Sequence, residues 1–325
     1  MADIQIQNIT EATRDKWLAV AKACPYATYF HTPHWYESIV PNQKHIALEI
    51  IFDDNVSAII SFAKIKRKGG LLVDHFSSPG GTYGGWISAS PLNDQHVKIL
   101  TDVLLSKKNL TFKANPFCPS PTPDIFFRDH THILDLTKGI DKIYNGFYRG
   151  HKSAINCAVR NEVIIRASES LEEWDKYYEL YMDSIDRWRR MHDSKAPRTI
   201  YPRSFFRRLH MARTGREVLW LAFKDNEPIA GALIFYWNRH TVYWHGSASA
   251  KHFHLKPNNL LHWEIIKDAI NKGYEIYDFN PSAGFEGVES FKERFGSTRI
   301  SFPMLITRTP LRSLIAKIIQ SGESS

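Results

Sequence analysis

The sequence predicts an α/β protein with mixed sheets, built as two tandem units that arose by internal duplication. Two echoes and the chain length carry that expectation. Residues 48–64 (LEIIFDDNVSAIISFAK) and 219–237 (LWLAFKDNEPIAGALIFYW) each read as an apolar strand, a turn and a second apolar strand. The turns hold Asp54-Asn55 and Asp225-Asn226, residue types that tolerate positive φ, so each segment is a hairpin. Further on, LTFKANP (residues 110–116) matches EIYDFNP (residues 275–281), a strand closed by Asn-Pro after a helical stretch. A chain of 325 residues suits roughly two domains of about 150 residues, each with its own core. The expected division is 1–130 and 131–325.

The second unit can be laid out in order. Ser170 opens a capping box with Glu173, and the helix that follows carries Trp174, Tyr177, Tyr178, Tyr181, Ile185 and Trp188 on one face. A second helix starts near Pro202, buries Phe205, Phe206 and Leu209, and stops at Gly215. The hairpin comes next, then a strand at 241–246, then a helix capped by Asn258 or Asn259 and ended by Gly273. A strand over 274–279, a short helix over 288–295 stopped by Gly296, and a strand over 301–307 complete the unit. Two helices, a meander, a helix, a strand, a helix and a strand is the element order of acetyltransferase-type folds. Between the units the pattern predicts one helix over 140–160, with Ile140, Ile143, Tyr144, Phe147, Ile155 and Val159 on one side. Its Gly146 and Gly150 weaken it by roughly 1 kcal/mol each against Ala. The proline-rich stretch 116–123 before it is a stiff connector.

Composition narrows the class. Hydrophobic residues make up 43% and charged residues 23%, ordinary for a globular chain. No apolar run approaches the ~18 residues of a membrane span, and Met1-Ala2-Asp3-Ile4-Gln5 lacks the start of a signal peptide. Cys24, Cys118 and Cys157 are scattered, without a C-x-x-C. They read as thiols of a reducing compartment, and the expected location is cytoplasmic. The net charge is +8, and residues 187–216 hold ten Arg and Lys against the single acid Asp193. That concentration suits a phosphate-rich partner, such as nucleic acid, a nucleotide-linked substrate or an anionic membrane face, or else a solvated basic surface. Residues 311–319, with Arg312 and Lys317, read as a short amphipathic helix that packs on the second unit or touches a membrane.

Five segments then resemble the Fem-type aminoacyl transferases, which move an amino acid from charged tRNA onto peptidoglycan precursors. They are Phe30-His-Thr-Pro-His-Trp35; Leu134-Asp-Leu136 leading into the Arg149, Lys152 and Arg160 segment; residues 177–187; Asn258-Asn-Leu-Leu-His-Trp263; and Tyr277-Asp-Phe-Asn280 followed by Gly287-Val-Glu-Ser-Phe-Lys-Glu-Arg-Phe-Gly296. The last is the most specific, and a broader set of acetyltransferase-like enzymes shares it. The resemblance implies that Lys292 stabilises the transferring carbonyl, that Phe291 stands at the acceptor end of the aminoacyl donor, and that Arg187 holds substrate phosphates. It brings in Arg149 and Lys152 as further substrate-binding positions. Two features depart from the family: Tyr36-Glu-Ser-Ile-Val-Pro41 offers no lysine after Trp35, and no coiled-coil arm is present.

The implied reaction moves an amino acid, from aminoacyl-tRNA, to an amine on a nucleotide- or lipid-linked envelope precursor. An activated ester needs no covalent enzyme intermediate, so orientation and oxyanion stabilisation are the enzyme's tasks. Lys292 suits the second task, or is a surface helix lysine. Phe291 and Phe295, spaced i and i+4, can equally be core. Asp278 and Asn280 stand at a strand end, where Asp278 either accepts the attacking amine's proton or caps the next turn. Tyr243 and His245 alternate with Trp244 and so should share one face, lining either an acceptor pocket or the core. The second reading is an acyl-CoA-type N-acyltransferase acting on an amino sugar or other polysaccharide or lipid precursor. Against it, the loop 247–259 has no glycine for pyrophosphate, and the glycine-rich 78–85 opens no helix. The third is a non-catalytic tRNA- or glycan-binding module. No H-E-x-x-H or G-x-S-x-G occurs, so neither a metal nor a serine nucleophile is expected, and no resident cofactor beyond the co-substrate.

Overall fold

The computed structural model describes residues 3–40, 43–67, 72–77, 79–119, 127–192, 200–212 and 214–310. In chain order the first elements are β1 (Ile6–Glu11), α1 (Arg14–Ala23), α2 (Pro33–Ile39), β2 (Lys44–Phe52), β3 (Ser57–Arg67), β4 (Leu72–Phe76), β5 (Trp86–Ile87), α3 (Asp94–Leu105), β6 (Leu110–Lys113) and β7 (Phe127–Asp135). Next come α4 (Ile140–Gly146), α5 (Arg149–Arg160), β8 (Ile164–Ala167), α6 (Leu171–His192), α7 (Arg203–Ala212), β9 (Glu217–Lys224), β10 (Glu227–Trp237) and β11 (His240–Ala248). The last are α8 (Pro257–Asn271), β12 (Ile276–Asp278), α9 (Glu286–Glu293) and β13 (Thr298–Ile306). They form two compact units, Met1–His130 with Ile300–Ser325, and Thr131–Arg299.

The first unit orders its strands β1-β2-β3-β4-β6-β13, with β5 beside β3. The first three pairings are antiparallel, β4 runs parallel to β6, and β13 returns antiparallel to β6. The second unit orders them β8-β9-β10-β11-β12-β7, again three antiparallel pairings, one parallel and one antiparallel. The sequence echoes fall at equivalent places: the hairpins are the second and third strands, and LTFK and IYD the fifth. The sixth strands are exchanged along the chain. β7 follows β6 in sequence, yet Ile133–Asp135 pair with β12. β13 follows β12, yet Met304–Ile306 pair with β6.

Local chemistry explains the elements. Asn55, Asp225 and Asn226 have φ of 65°, 51° and 65°, the left-handed region the Asp-Asn turns require. In α6, Trp174, Tyr177, Tyr181 and Ile185 are buried. Its cap differs from the expected box. The Glu173 N–H donates to Ser170 Oγ at 3.3 Å, but the Glu173 carboxylate accepts from the Glu169 N–H and from Arg166. The cap of α8 differs too: Lys256, at φ 58°, and Pro257 in the first turn begin it, so Asn258 and Asn259 are already helical. Gly273, at φ 79°, ends it as expected.

The connecting helix predicted over 140–160 is two helices. Phe147 and Tyr148 are extended between α4 and α5. The Phe147 ring lies 5.3 Å from Trp263 and 5.1 Å from Phe295, and the Tyr148 N–H donates to the Arg294 carbonyl at 2.9 Å. Aromatic packing and that hydrogen bond replace the helical turn that Gly146 and Gly150 made weak. The break resets the phase of α5, so Val159 is exposed and His151 is buried. The segment 311–319 lies outside the described residues.

Candidate functional site

In the second unit, β11 and β12 pair only at His240, Thr241 and Val242. Beyond them β11 runs on to Ala248 without β12 beside it. A cavity of about 260 Å³ is lined by residues from the elements around that stretch. Gly231 and Ala232 of β10 and Gly246, Ser247 and Ala248 of β11 contribute small residues. Ser184, Arg187 and Trp188 of α6 line it, with Phe253, and so do Asn258, Leu261 and His262 of α8. Gly287, Val288 and Phe291 of α9 and Tyr243 of β11 complete the lining.

Among the described residues, Arg187 is the one charged side chain in that lining. It donates to Ser184 Oγ at 3.0 Å and to the Ala248 carbonyl at 3.3 Å, pairs with Asp183 at 3.4 Å, and stacks 5.0 Å above the Phe253 ring. These partners hold the guanidinium in place and leave its charge at the cavity. His262 is 3% exposed, and its Nδ1 lies 2.8 Å from the Tyr277 hydroxyl. Burial first, then the charges of Lys292 and His151, push it down to about 3, so the imidazole is neutral at pH 7. Burial pushes the Tyr243 phenol up to about 12.

Of the residues singled out in the sequence, Arg187, Phe291 and Tyr243 line the cavity. Lys292, Asp278 and Asn280 form a separate buried network of the same unit. The Lys292 ammonium, 3% exposed, donates to the Asn280 carbonyl at 2.6 Å. Asp278 Oδ1 accepts from the Thr131 hydroxyl at 2.6 Å and from the Asn280 N–H at 2.8 Å. Lys292 is thus no surface lysine, and Asp278 holds the turn at Asn280, whose φ is 60°. Asn280 Oδ1 has no hydrogen-bond partner among the described residues. Arg149 is exposed, and Lys152 donates to the Asn145 carbonyl at 2.9 Å beside the Tyr144 ring; neither lines the cavity.

His245 corrects the expectation of a shared face. The β10–β11 register runs Leu233 against His245 and Ile234 against Tyr243, leaving Trp244 as an extra residue. Such a bulge breaks the two-residue alternation. Tyr243 therefore packs on His262 of α8, while His245 meets Tyr177 and Tyr181 of α6, its Nδ1 2.7 Å from the Tyr177 hydroxyl. The glycine-rich 78–85 also has a packing reason: Gly85 has φ 108°, and an added Cβ would sit 3.1 Å from the Asn115 amide nitrogen. The basic stretch is partly paired in space. Arg207 and Arg203 both bond Asp175, and Arg216 stacks on Trp237. The reading by residue type passed over His262, Phe253, Ser184 and Trp188 as site residues. His262 had a signal, since it stands one position beyond Leu261 and four beyond Asn258 on the helix that opens at the cavity.

The cavity's lining combines a fixed cation, Arg187, with a neutral imidazole and aromatic side chains. Residues 150–293 match the acetyltransferase (GNAT) domain family. No curated protein matches the sequence. Among solved structures, FemX is similar at a TM-score of 0.63 and 14% identity, over 95% of this chain and 100% of FemX. A conserved Bacteroides thetaiotaomicron protein of unknown function is similar at 0.57 and 12%, over 93% and 100%. The C-terminal domain of a candidate lysylphosphatidylglycerol synthetase from Agrobacterium fabrum is similar at 0.51 and 11%, over 83% and 87%. The identities are low, so the likeness is one of fold. A match to the acetyltransferase (GNAT) domain family over residues 150–293, within a chain that has the fold of FemX along its length, supports an acyltransferase.

Proposed function

We propose that the chain transfers an aminoacyl group, delivered as an aminoacyl-tRNA ester, to an amine on a nucleotide- or lipid-linked envelope precursor. The observation that carries this reading is the cavity lined by both a held Arg187 and Phe291. A fixed guanidinium suits the phosphate of a nucleotide or phospholipid. FemX and the lysylphosphatidylglycerol synthetase domain share the fold, and the second is named for a product that is an aminoacylated phospholipid. The test is a tRNA-dependent assay with mixed labelled aminoacyl-tRNAs against purified envelope precursors, expecting RNase-sensitive label on one precursor. Label that is indifferent to RNase would remove the tRNA donor. Binding to tRNA should also weaken with salt, and neutralising the exposed Arg189 and Arg190 should flatten that slope.

A second reading has its own observation. Among the described residues, no carboxylate lines the cavity to receive an α-ammonium group. That favours an uncharged or anionic acyl group, as in acyl-CoA-type N-acylation of an amino sugar or other envelope precursor. The same assay with acyl thioesters in place of charged tRNA decides between the two.

A further inference from the structure

His262 lies at the cavity wall with one ring nitrogen committed and the other unassigned. Tyr277 is fully buried, and burial raises its phenol well above the ordinary value, so the hydroxyl keeps its proton. A buried hydroxyl donates where an acceptor is available. Its hydrogen-bond partner is His262 Nδ1, at 2.8 Å. If the phenol donates, Nδ1 is the acceptor and the single imidazole proton sits on Nε2. Tyr243 of β11, Tyr277 of β12 and the rings of Phe279, Phe291 and Phe295 pack on the imidazole, and the ionisable groups His151 of α5 and Lys292 of α9 act on it through their charges. None of these is a carboxylate, and the two basic groups oppose a second proton on the ring.

We infer that His262 offers its Nε2–H to the carbonyl oxygen of the group being transferred, and that Tyr277 is the positioning residue that fixes this tautomer. The inference rests on acyl transfer taking place in this cavity. In that step the acceptor amine's lone pair forms the new N–C bond, and the carbonyl π pair moves onto oxygen. The oxyanion, held by Nε2–H, collapses as the bond from carbonyl carbon to the leaving ester oxygen or thioester sulfur breaks. The proton shed by the amine nitrogen ends on that leaving atom. A neutral imidazole serves here as a donor and not as a base, because its lone pair is already engaged by Tyr277. Lys292 is placed otherwise: its ammonium is directed at the Asn280 carbonyl, and it does not line the cavity.

The test has two arms. The first uses the full chain with ¹⁵N-labelled histidine and needs no substrate. The His262 resonances are identified by their loss in His262→Gln, and two-bond ¹H–¹⁵N correlations report which nitrogen bears the proton. A protonated Nε2 and bare Nδ1, unchanged from pH 5.5 to 8, is expected, and Tyr277→Phe should move chiefly the Nδ1 signal. A protonated Nδ1 overturns the inference. The second arm is turnover with whichever donor class proves active. His262→Gln puts an amide N–H near the Nε2 position and should stay within about tenfold of wild type. His262→Asn, which reaches only toward Tyr277, and His262→Leu should lose about 10²–10³ in turnover with little change in KM. Equal loss in all three variants, or none in His262→Leu, also overturns it. Should neither tRNA esters nor thioesters be turned over, the donor proposal falls, and a protonated Nδ1 in the ring spectra would overturn this one independently.

Discussion

At the residue scale, Lys292 and Glu173 show how burial redirects a charged side chain. Lys292 sits on a helix of eight residues, where its sequence neighbours Glu289 and Glu293 suggest solvent, yet it is almost wholly buried against Asn280. Lys292→Met keeps the apolar stem and removes a charged donor. The orphaned Asn280 carbonyl should cost about 1–3 kcal/mol, partly offset by no longer burying an ammonium. Urea denaturation measures that term. If Lys292 also stabilises the transferring carbonyl, turnover should fall by about 10²–10³, and a stability loss with turnover intact would leave it a structural residue. Glu173 is held down to about 2, first by its hydrogen bond from Arg166, against an ordinary value of 4.5. A depressed carboxylate adds stability that is fully present above 4.5 and is lost as the pH falls toward 2. Stability should therefore drop across that window in the wild type and drop less in Glu173→Gln. An unchanged acid limb in the variant would mean that other carboxylates govern it.

Elements decide what the cavity can hold. Gly231 on β10 faces Tyr177 of α6, and an added Cβ would lie 2.6 Å from the Tyr177 ring and 2.8 Å from Leu221 Cδ2. Tyr177 is fully buried and bonded to His245, so it has little room to yield. Gly231→Ala should destabilise by about 1–3 kcal/mol through overpacking; a denaturation midpoint equal to wild type would show that α6 can shift on the sheet. The bulge at Trp244 matters as much. By inserting one residue it gives Tyr243 to the cavity and His245 to the packing under α6, a division that strict alternation forbids. The break between α4 and α5 likewise turns His151 inward, where its Nε2 lies 3.0 Å from the Phe291 carbonyl and braces the cavity's aromatic wall.

Across the whole molecule, the exchanged sixth strands tie each unit's completion to a distant part of the chain. The first unit's sheet ends on β13, some 200 positions from the Leu110 neighbourhood it joins, and Thr307 bonds there as well. Ending the chain after Gly296 removes β13 and bares the edge of β6. Hydrogen exchange should then accelerate at Leu110–Lys113, while the β9–β10 hairpin of the second unit keeps its protection. Unaltered protection of β6 would show that the first unit closes without its late strand.

Sequence by itself determined the features that depend on neighbours along the chain. Asp-Asn turns, apolar strand runs, the amphipathic face of α6 and the stop at Gly273 are all local, since turn conformation and periodicity follow from adjacent residues. The repeated hairpins also marked matching places in the two units before any pairing was known. Tertiary structure decided the rest. A bulge is a relation between two strands, so no single-strand pattern could separate Tyr243 from His245. The helix break at Phe147 answers to Trp263 and Phe295, more than a hundred residues away. The same holds for the cavity, because Arg187, His262 and Phe291 come from three helices and meet only where β11 runs on without β12.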